Sequence, residues 1–243
     1  MPRFAWKQIG SLHLARAEPW AAPLADGRVL VARGTAAVYE PTYAVESVPS
    51  VEVYDPKGDT WSSADKLLDA DGNLVGVEAL HWDGSRWAVV THLMPPPALG
   101  TLVLPKGGMI SAGRPEWTGG EPHGVRETPV TIVEIGAVPG TPQCLSLQHA
   151  RIKPALTLLR NGFILVTGGY ETLLDYSWET NYRSLAHTEI LDLEGGQVLD
   201  GGDLRQARHN HTAILLPNDS VMLIGGKQDE GEELTNVELG VPI

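Results

Sequence analysis

Four segments of the chain repeat one eleven-residue pattern, and this repeat constrains the fold more than any other feature. Each segment reads as a strand end, a tight turn, an apolar strand and a glycine exit. The four segments are LADGRVLVARG at 24–34, LPKGGMISAGR at 104–114, LRNGFILVTGG at 159–169 and LPNDSVMLIGG at 216–226. Their turn pairs, such as Asp26-Gly27, supply the backbone conformations that a short hairpin requires. Each segment is therefore predicted to form a β-hairpin.

Further strands follow the hairpins. A third strand is predicted at VEVYDP (51–56), VTIVEI (130–135), TEILDL (188–193) and NVEL (236–239), and a fourth is indicated by Trp61 and Val198. The last three hairpins start about 56 residues apart, which suits one four-stranded unit. The first gap is longer, and LHWDGSRWAVV at 80–90 fills it as a degenerate copy within a truncated unit at about 68–98.

The two ends of the chain complement each other. The last unit lacks a fourth strand, and the N-terminal segment FAWKQIGSLHLAR (4–16) matches the missing piece, with Trp6 in the place of Val198. Pairing the first strand with the last unit would close a ring and remove an open sheet edge. The sequence thus predicts one all-β domain over 1–243, a closed β-propeller of about five blades. Four or six blades are the alternatives.

The repeats resemble a known family. The glycine-pair exits, the VEVYDPKGDTW stretch at 51–61 and an Arg eight residues before three of the hairpins are similar to kelch repeats of the galactose-oxidase-like kind, as found in bacterial kelch repeat proteins. The resemblance covers nearly the whole chain. It departs at Pro95-Pro96-Pro97, where an Arg would stand, and at Arg33-Gly34 and Gly113-Arg114, which replace a glycine pair.

Composition narrows the classes of partner. The net charge of −12 disfavours binding to nucleic acid or to an anionic membrane. The single cysteine, Cys144, excludes an internal disulfide and a multi-cysteine metal site. No apolar run approaches the roughly 20 residues of a membrane helix, and the N-terminus has no secretory signal pattern. We therefore expect a soluble, cytoplasmic protein.

One face of the predicted ring is rich in aromatic residues. In four-stranded up-and-down blades, the loops between strands two and three lie on the same face as the turns from strand four to the next strand one. These loops, at 35–50, 115–129, 170–187 and 227–235, hold more than half of the tyrosines and tryptophans: Tyr39, Tyr43, Trp117, Tyr170, Tyr176, Trp178 and Tyr182. Such side chains favour recognition, although they would also serve to pack the loops onto neighbouring blades.

The strand-four-to-one turns carry the repeated arginines. The family resemblance implies that this turn region, beside the channel mouth, holds ligands. The candidate mouth residues are Arg16, Glu18, Arg151, Lys153, Arg208, His209 and His211. A guanidinium group could capture a carboxylate with two hydrogen bonds. Alternatively, an Arg that repeats with the fold is structural and bonds turn carbonyls.

Two histidine patterns suggest a metal. His209 and His211 lie on one side of a strand, and His149 occupies a turn of the same class. The spacing of Asp175, Glu179, Arg183 and His187 resembles the iron-binding spacing of kelch-type nitrile-specifier proteins, with Arg183 in place of the middle acid.

The favoured interpretation assigns no catalytic residue, metal or cofactor. It is a non-catalytic binding module that takes a protein, peptide or glycan partner on one face, and does not bind nucleic acid or a membrane. The predicted ligand-binding set comprises the seven mouth residues with Trp117, Tyr170, Tyr176 and Trp178. Two alternatives stay open: an enzyme at the channel mouth, such as a metal-assisted lyase or a sugar isomerase, and a subunit that docks in a larger assembly through 91–98.

Overall fold

The structure, a computed structural model, describes residues 3–38, 44–71, 73–92, 100–104, 109–112, 132–136, 144–174, 180–229 and 231–243. The first strands are β1 (Phe4–Ile9), β2 (Trp20–Pro23), β3 (Val29–Ala32), β4 (Thr35–Val38), β5 (Ala44–Ser47), β6 (Val51–Asp55), β7 (Thr60–Ser63), β8 (Ala79–Trp82) and β9 (Trp87–Val90). A short 3-10 helix spans Asp65–Leu67.

The strands continue with β10 (Thr101–Val103), β11 (Met109–Ala112), β12 (Ile132–Gly136), β13 (Cys144–Ser146), β14 (Ala155–Leu158), β15 (Ile164–Thr167), β16 (Tyr170–Leu174), β17 (Thr180–Ser184), β18 (His187–Asp192) and β19 (Gln197–Asp203). The last are β20 (Thr212–Leu215), β21 (Val221–Ile224), β22 (Lys227–Gln228), β23 (Glu232–Glu233) and β24 (Val237–Pro242). None of the described segments forms a helix that is long and apolar enough to span a membrane.

The strands assemble into antiparallel sheets that follow the sequence repeat. Sheet 1 has the strand order β2-β3-β6-β7, sheet 3 the order β10-β11-β12-β13 and sheet 4 the order β14-β15-β18-β19. Sheet 5 has the order β20-β21-β24-β1, so the N-terminal strand completes the last sheet as predicted. Sheet 2 holds only the hairpin β8-β9 in the described part of the chain, within the segment predicted to be truncated.

Neighbouring sheets meet through their first strands. β2 contacts both β8 and β20, β20 contacts β14, and β14 contacts β10. The sheets therefore follow one another side by side in the order 2, 1, 5, 4, 3. Short antiparallel sheets whose first strands face one another in sequence are the arrangement of β-propeller blades.

The core lies between the sheets. The second strands β3, β15 and β21 are buried along their whole length because a neighbouring sheet covers each of their faces. One cluster, for example, joins Leu165 and Ile190 of sheet 4 to Val221 and Leu223 of sheet 5. The continuous apolar runs in these strands, such as Ile-Leu-Val at 164–166, follow from this burial on both sides.

The long connections between the second and third strands contain small hairpins. β4 pairs with β5 in the connection of sheet 1, β16 with β17 in that of sheet 4, and β22 with β23 in that of sheet 5, each as a separate two-stranded sheet. The sequence predicts these segments only as loops. Their strands extend the repeat toward the face that also carries the strand-four-to-one turns.

Candidate functional site

Each repeated arginine is buried inside its own sheet. The Arg208 side chain is fully buried, and its Nη1 donates to the carbonyl oxygens of Gly225 at 3.0 Å and Asn236 at 3.1 Å. Its Nη2 donates to Glu238 Oε1 at 2.6 Å. The guanidinium group thus joins the exit of the second strand to the start of the third.

The other two arginines repeat this arrangement. Arg16 Nη2 donates to Glu52 Oε1 at 2.6 Å, and Arg151 Nη2 donates to Glu189 Oε2 at 2.9 Å. Their Nη1 atoms donate to strand-end carbonyls at the same repeat positions, namely Arg33 and Ser50 for Arg16, and Gly168 and His187 for Arg151. Burial lowers the pKa of all three arginines, and the paired carboxylates oppose this shift.

The paired glutamates hold the turn as well as the arginine. Glu238 accepts hydrogen bonds from the backbone N–H groups of Arg205 at 2.7 Å and Gln206 at 3.0 Å. Glu52 and Glu189 accept the equivalent pairs from residues 13 and 14 and from residues 148 and 149. Charge-assisted bonds of this kind are strong when water is excluded. Each pair therefore fixes the turn that enters its sheet.

Sequence reasoning missed these glutamates although the sequence contains the signal. Glu52, Glu189 and Glu238 each stand near the start of the third strand, in VEVYD, TEILD and NVEL. Glu134 has the same register position, opposite Ser111, in sheet 3. The recurrence of a charged residue at a position flanked by apolar ones indicates a buried partner.

The geometry favours a structural role for Arg16, Arg151 and Arg208. Their guanidinium groups are bonded to acceptors of their own sheets, and the three residues are no more than 1% exposed. This was the alternative interpretation of a repeated arginine. Capture of a ligand carboxylate by these groups would require them to break the bonds that hold the turns.

Two backbone hydrogen bonds join the Arg208 turn and the Arg16 turn each to the preceding sheet. Between sheets 4 and 5, Gly169 N–H donates to Arg208 O at 3.0 Å, and Arg208 N–H donates to Leu185 O at 3.2 Å. Between sheets 5 and 1, Gly226 N–H donates to Arg16 O at 2.9 Å, and Arg16 N–H donates to Leu234 O at 3.3 Å. We call each of these two bond pairs a turn junction.

The residues after each arginine show which features do not repeat. The turns read Arg-Ala-Glu-Pro at 16–19, Arg-Ile-Lys-Pro at 151–154 and Arg-His-Asn-His at 208–211. Glu18, Lys153 and Asn210 share a left-handed backbone conformation with φ of 50°, 51° and 51°. His209 and His211 replace an apolar residue and a proline, so the turn itself does not require either imidazole.

His209 lies in a polar cluster near the predicted channel mouth. Its Nδ1 lies 3.0 Å from Ser184 Oγ, and the Tyr170 ring meets it edge-on at 5.0 Å. Ser184 Oγ accepts the Asp229 N–H at 2.7 Å, which leaves the hydroxyl proton to bond His209 Nδ1. Burial and the nearby Lys227 and Lys153 lower the pKa of His209 to about 4, so this imidazole is neutral at pH 7.

His211 packs deeper than His209. It is 1% exposed, and its Nε2 lies 2.8 Å from Thr167 Oγ1. Its buried Nδ1 has no hydrogen-bond partner among the described residues. An unbonded lone pair costs less than an unbonded N–H, which favours the tautomer with the proton on Nε2. Burial holds the pKa of His211 well below its usual value.

The remaining predicted residues divide into three groups. Glu18 is exposed, Lys153 is half-buried and Tyr170 is buried in the His209 cluster. His149 stacks on His187 at 4.1 Å, and His187 Nδ1 lies 2.6 Å from Asp203 Oδ1, while Arg183 pairs with Glu171. Trp117, Asp175, Tyr176, Trp178 and Glu179 lie outside the described residues.

These placements bear on the two metal patterns. His149 contacts His187, and His209 contacts Ser184 and Tyr170, so the described contacts divide the histidines between two clusters. Within the described ranges, no group of three or more His, Cys, Asp or Glu side chains has the geometry to hold a metal ion.

No protein-family model and no curated protein sequence matches this chain. Among solved structures, it is similar to a fungal alcohol oxidase of the AA5 family in complex with copper, with 16% identity and a TM-score of 0.44 over 96% of this chain and 54% of the oxidase. It is also similar to YjhT, with 12% identity and a TM-score of 0.44 over 94% of this chain and 84% of YjhT. This chain thus spans about half the length of the oxidase. At such TM-scores neither likeness assigns a family or a function.

Proposed function

We propose that this chain is a β-propeller-type binding module that takes a protein, peptide or glycan partner on the face of its strand-four-to-one turns and strand-two-to-three hairpins. In this proposal the five sheets close into one ring, and the repeated Arg–Glu pairs provide its rigid frame. A rigid frame that displays variable turns and loops is how many scaffolds carry recognition sites.

The observation that carries this proposal is the contrast between repeating and non-repeating residues on one face. The arginines repeat, and they are buried and bonded. Glu18, Lys153 and Asn210 share one backbone conformation but present an acid, a base and an amide. A scaffold that fixes the backbone and varies the side chain at equivalent turns can adapt its chemistry to a partner.

The His209 cluster supports a binding site on the same face. Ser184, Tyr170 and His209 lie together where the other turns have Ala17 or Ile152. Polar groups that converge beside an aromatic ring are typical of sites that orient a ligand. The neutral imidazole can act as a hydrogen-bond donor or acceptor at pH 7 without the cost of burying a charge.

Charge-reversed variants on the two faces test the proposal. Arrays of synthetic peptides and of glycans are probed with the labelled wild type, with Lys153→Glu and Glu18→Lys, and with Lys57→Glu in the turn between β6 and β7. By strand parity that turn lies on the opposite face. We expect Lys153→Glu or Glu18→Lys to weaken the best probe by about tenfold and Lys57→Glu to leave it unchanged. Equal losses from both faces, or no probe bound by the folded wild type, would contradict the proposal.

A further inference from the structure

The segment 64–78, which enters sheet 2 from sheet 1, contains no arginine, in contrast to the turns at the two turn junctions. After β7 and the 3-10 helix, Leu68 bridges to Leu74, and Asp69 N–H donates to Asn73 O at 3.0 Å. Asp69 Oδ1 also accepts the N–H groups of Asp71 at 3.0 Å and Asn73 at 2.8 Å. Leu68 and Asp69 thus pair with Leu74 and Asn73 in the segment where an arginine turn would start a complete blade.

A cavity lies at this junction. Its volume is about 380 Å³, and its lining consists of Arg33, Ser47, Val48, Pro49, Val51, Asp65, Leu68 and Asp69. Volumes of this size accommodate a ligand or several residues of a peptide. We call this cavity the vacant socket, because the equivalent place at each turn junction contains the turn of the next sheet.

The backbone around the socket is already in the conformation of a turn junction. Arg33 and Gly34 have φ of 59° and 97°, against 55° and 93° for Gly168 and Gly169. Val48 N–H donates to Gly34 O at 2.9 Å, which repeats the bond from Leu185 to Gly169. Gly34 N–H and Val48 O therefore stand where Gly169 N–H and Leu185 O bind Arg208.

These two backbone groups have no partner in the described part of the chain. No described residue accepts a hydrogen bond from Gly34 N–H or donates one to Val48 O. Val48 lines the cavity and is itself buried, and Gly34 is half-buried. A backbone donor and a backbone acceptor without a described partner favour the binding of an extended peptide backbone that pairs with both.

The vacant socket also explains why position 33 has an arginine where the turn junctions have a glycine. A Cβ atom at Gly168 or Gly225 would collide with the carbonyl oxygen of Arg208 or Arg16 in the following turn. Arg33 has the same left-handed conformation and nevertheless carries a side chain, which lies over the Trp20 ring at 4.1 Å. A residue with a Cβ is accommodated here because no described residue of a following turn occupies the position that Arg208 O and Arg16 O take at the turn junctions.

We propose that the vacant socket binds an extended peptide segment of a partner, with an arginine or lysine residue at the position that Arg208 and Arg16 take in the complete junctions. That residue donates its N–H to Val48 O and accepts from Gly34 N–H. Asp65 and Asp69 line the socket, where Asp65 accepts from Val51 N–H and Asp69 from Asn73 N–H. Their two negative charges outnumber the single guanidinium of Arg33, which favours a basic side chain in the partner. This site is separate from the His209 cluster and does not depend on the proposed function.

A peptide copied from this chain provides the probe. The fluorescently labelled segment LRQARHNHT, residues 204–212, contains the turn that fills the junction between sheets 4 and 5. We expect saturable 1:1 binding to the wild-type protein in fluorescence anisotropy. N-methylation of the backbone nitrogen at the peptide's residue 208 should abolish binding, because it removes the donor to Val48 O. Replacement of that arginine with alanine should weaken binding by about threefold.

Protein variants locate the peptide. Ser47→Trp fills the socket from an exposed position and should abolish binding, and Asp69→Asn should weaken it by about threefold. Asp200→Asn, which makes the same charge change on β19 away from the socket, should leave it unchanged. The melting temperature of each variant verifies folding. No saturable binding at millimolar peptide, equal binding of the N-methylated peptide, or full binding to folded Ser47→Trp would overturn the proposal.

Discussion

The turn junctions and the vacant socket have the same backbone but different occupants. At the junction between sheets 4 and 5, Arg208 makes two backbone bonds to the preceding sheet and a buried ion pair within its own. At the junction between sheets 1 and 2, Arg33 and Gly34 keep the backbone conformation, but no described residue supplies these bonds. The left-handed conformation at the end of a second strand therefore depends on its own sheet alone. The tight contact around that position depends on the turn of the next sheet.

The largest expected effect is the loss of a buried arginine. Arg151→Ala leaves Glu189 buried without its cation, which should lower the free energy of unfolding by about 3–5 kcal/mol. Arg33→Ala, which removes an exposed arginine at the socket, should cost less than about 1 kcal/mol. Urea denaturation of both variants measures the difference. Similar small losses in the two proteins would mean that the arginine turn is not structural.

The non-repeating histidines make the junction between sheets 4 and 5 sensitive to pH. Because the pKa of His209 is about 4 in the folded state and near 6.5 when unfolded, the unfolded chain gains a proton first as pH falls. Stability should therefore decrease as pH falls from 6.5 to 4, with about 3 kcal/mol from His209 as an upper value. His209→Ile introduces the residue that follows the arginine in the equivalent turn, Ile152. This variant should lose the part of the decrease in unfolding free energy that His209 causes.

The exposed His81 provides the control for the pH dependence. His81→Gln in β8 should keep the full wild-type decrease in unfolding free energy between pH 6.5 and pH 4, as followed by urea denaturation at several pH values. If His209→Ile and the wild type show the same decrease, then His209 is not held neutral by its surroundings in the folded protein.

A smaller effect is expected at the glycine exits. Gly168→Ala places a Cβ against Arg208 O at a φ of 55° and should cost about 2 kcal/mol or more. Gly162→Ala, at a φ of 86° with open space around the Cβ, should cost about 1 kcal/mol from backbone strain alone. Thermal unfolding compares the two. Equal costs would show that the turn of the next sheet does not restrict the space at the Cβ position of residue 168.

The smallest expected effect is at the socket itself. Arg33→Gly restores the glycine pair of the complete junctions and relieves the left-handed strain, but it loses the contact with Trp20 and adds freedom to the unfolded chain. These contributions nearly cancel, so the unfolding free energy should change by less than about 1 kcal/mol. A much larger loss in urea denaturation would show that Arg33 contributes to the junction through contacts beyond Trp20.

Much of the sheet architecture could be predicted from the sequence, because its cause is local. Turn pairs such as Asn161-Gly162 and the alternation of strands with glycine exits define hairpins within short segments. The pairing of β1 with β24 followed from the fit of Trp6 to a missing fourth strand. The hairpins β4-β5 and β16-β17 were not predicted, because their pairing depends on the sheets that support them.

The candidate site was harder to predict because its interactions are distant in sequence. Arg208 and Glu238 are 30 residues apart, and nothing in the arginine turn alone indicates a buried carboxylate. The burial that favours a structural role for arginines predicted to bind a ligand becomes visible only when the sheets are assembled. His209 could be recognised from the sequence, because alignment of the three turns places it where the other two turns have Ala17 and Ile152.

Amide hydrogen exchange tests the contrast between the turn junctions and the vacant socket most directly. Gly169 and Gly226 donate their N–H groups to Arg208 O and Arg16 O, whereas no described residue accepts from Gly34 N–H. We expect slow exchange at Gly169 and Gly226 and fast exchange at Gly34 in the free protein, with Gly34 slowed when the 204–212 peptide is bound. Protection of Gly34 equal to that of Gly169 and Gly226 in the free protein would contradict the account.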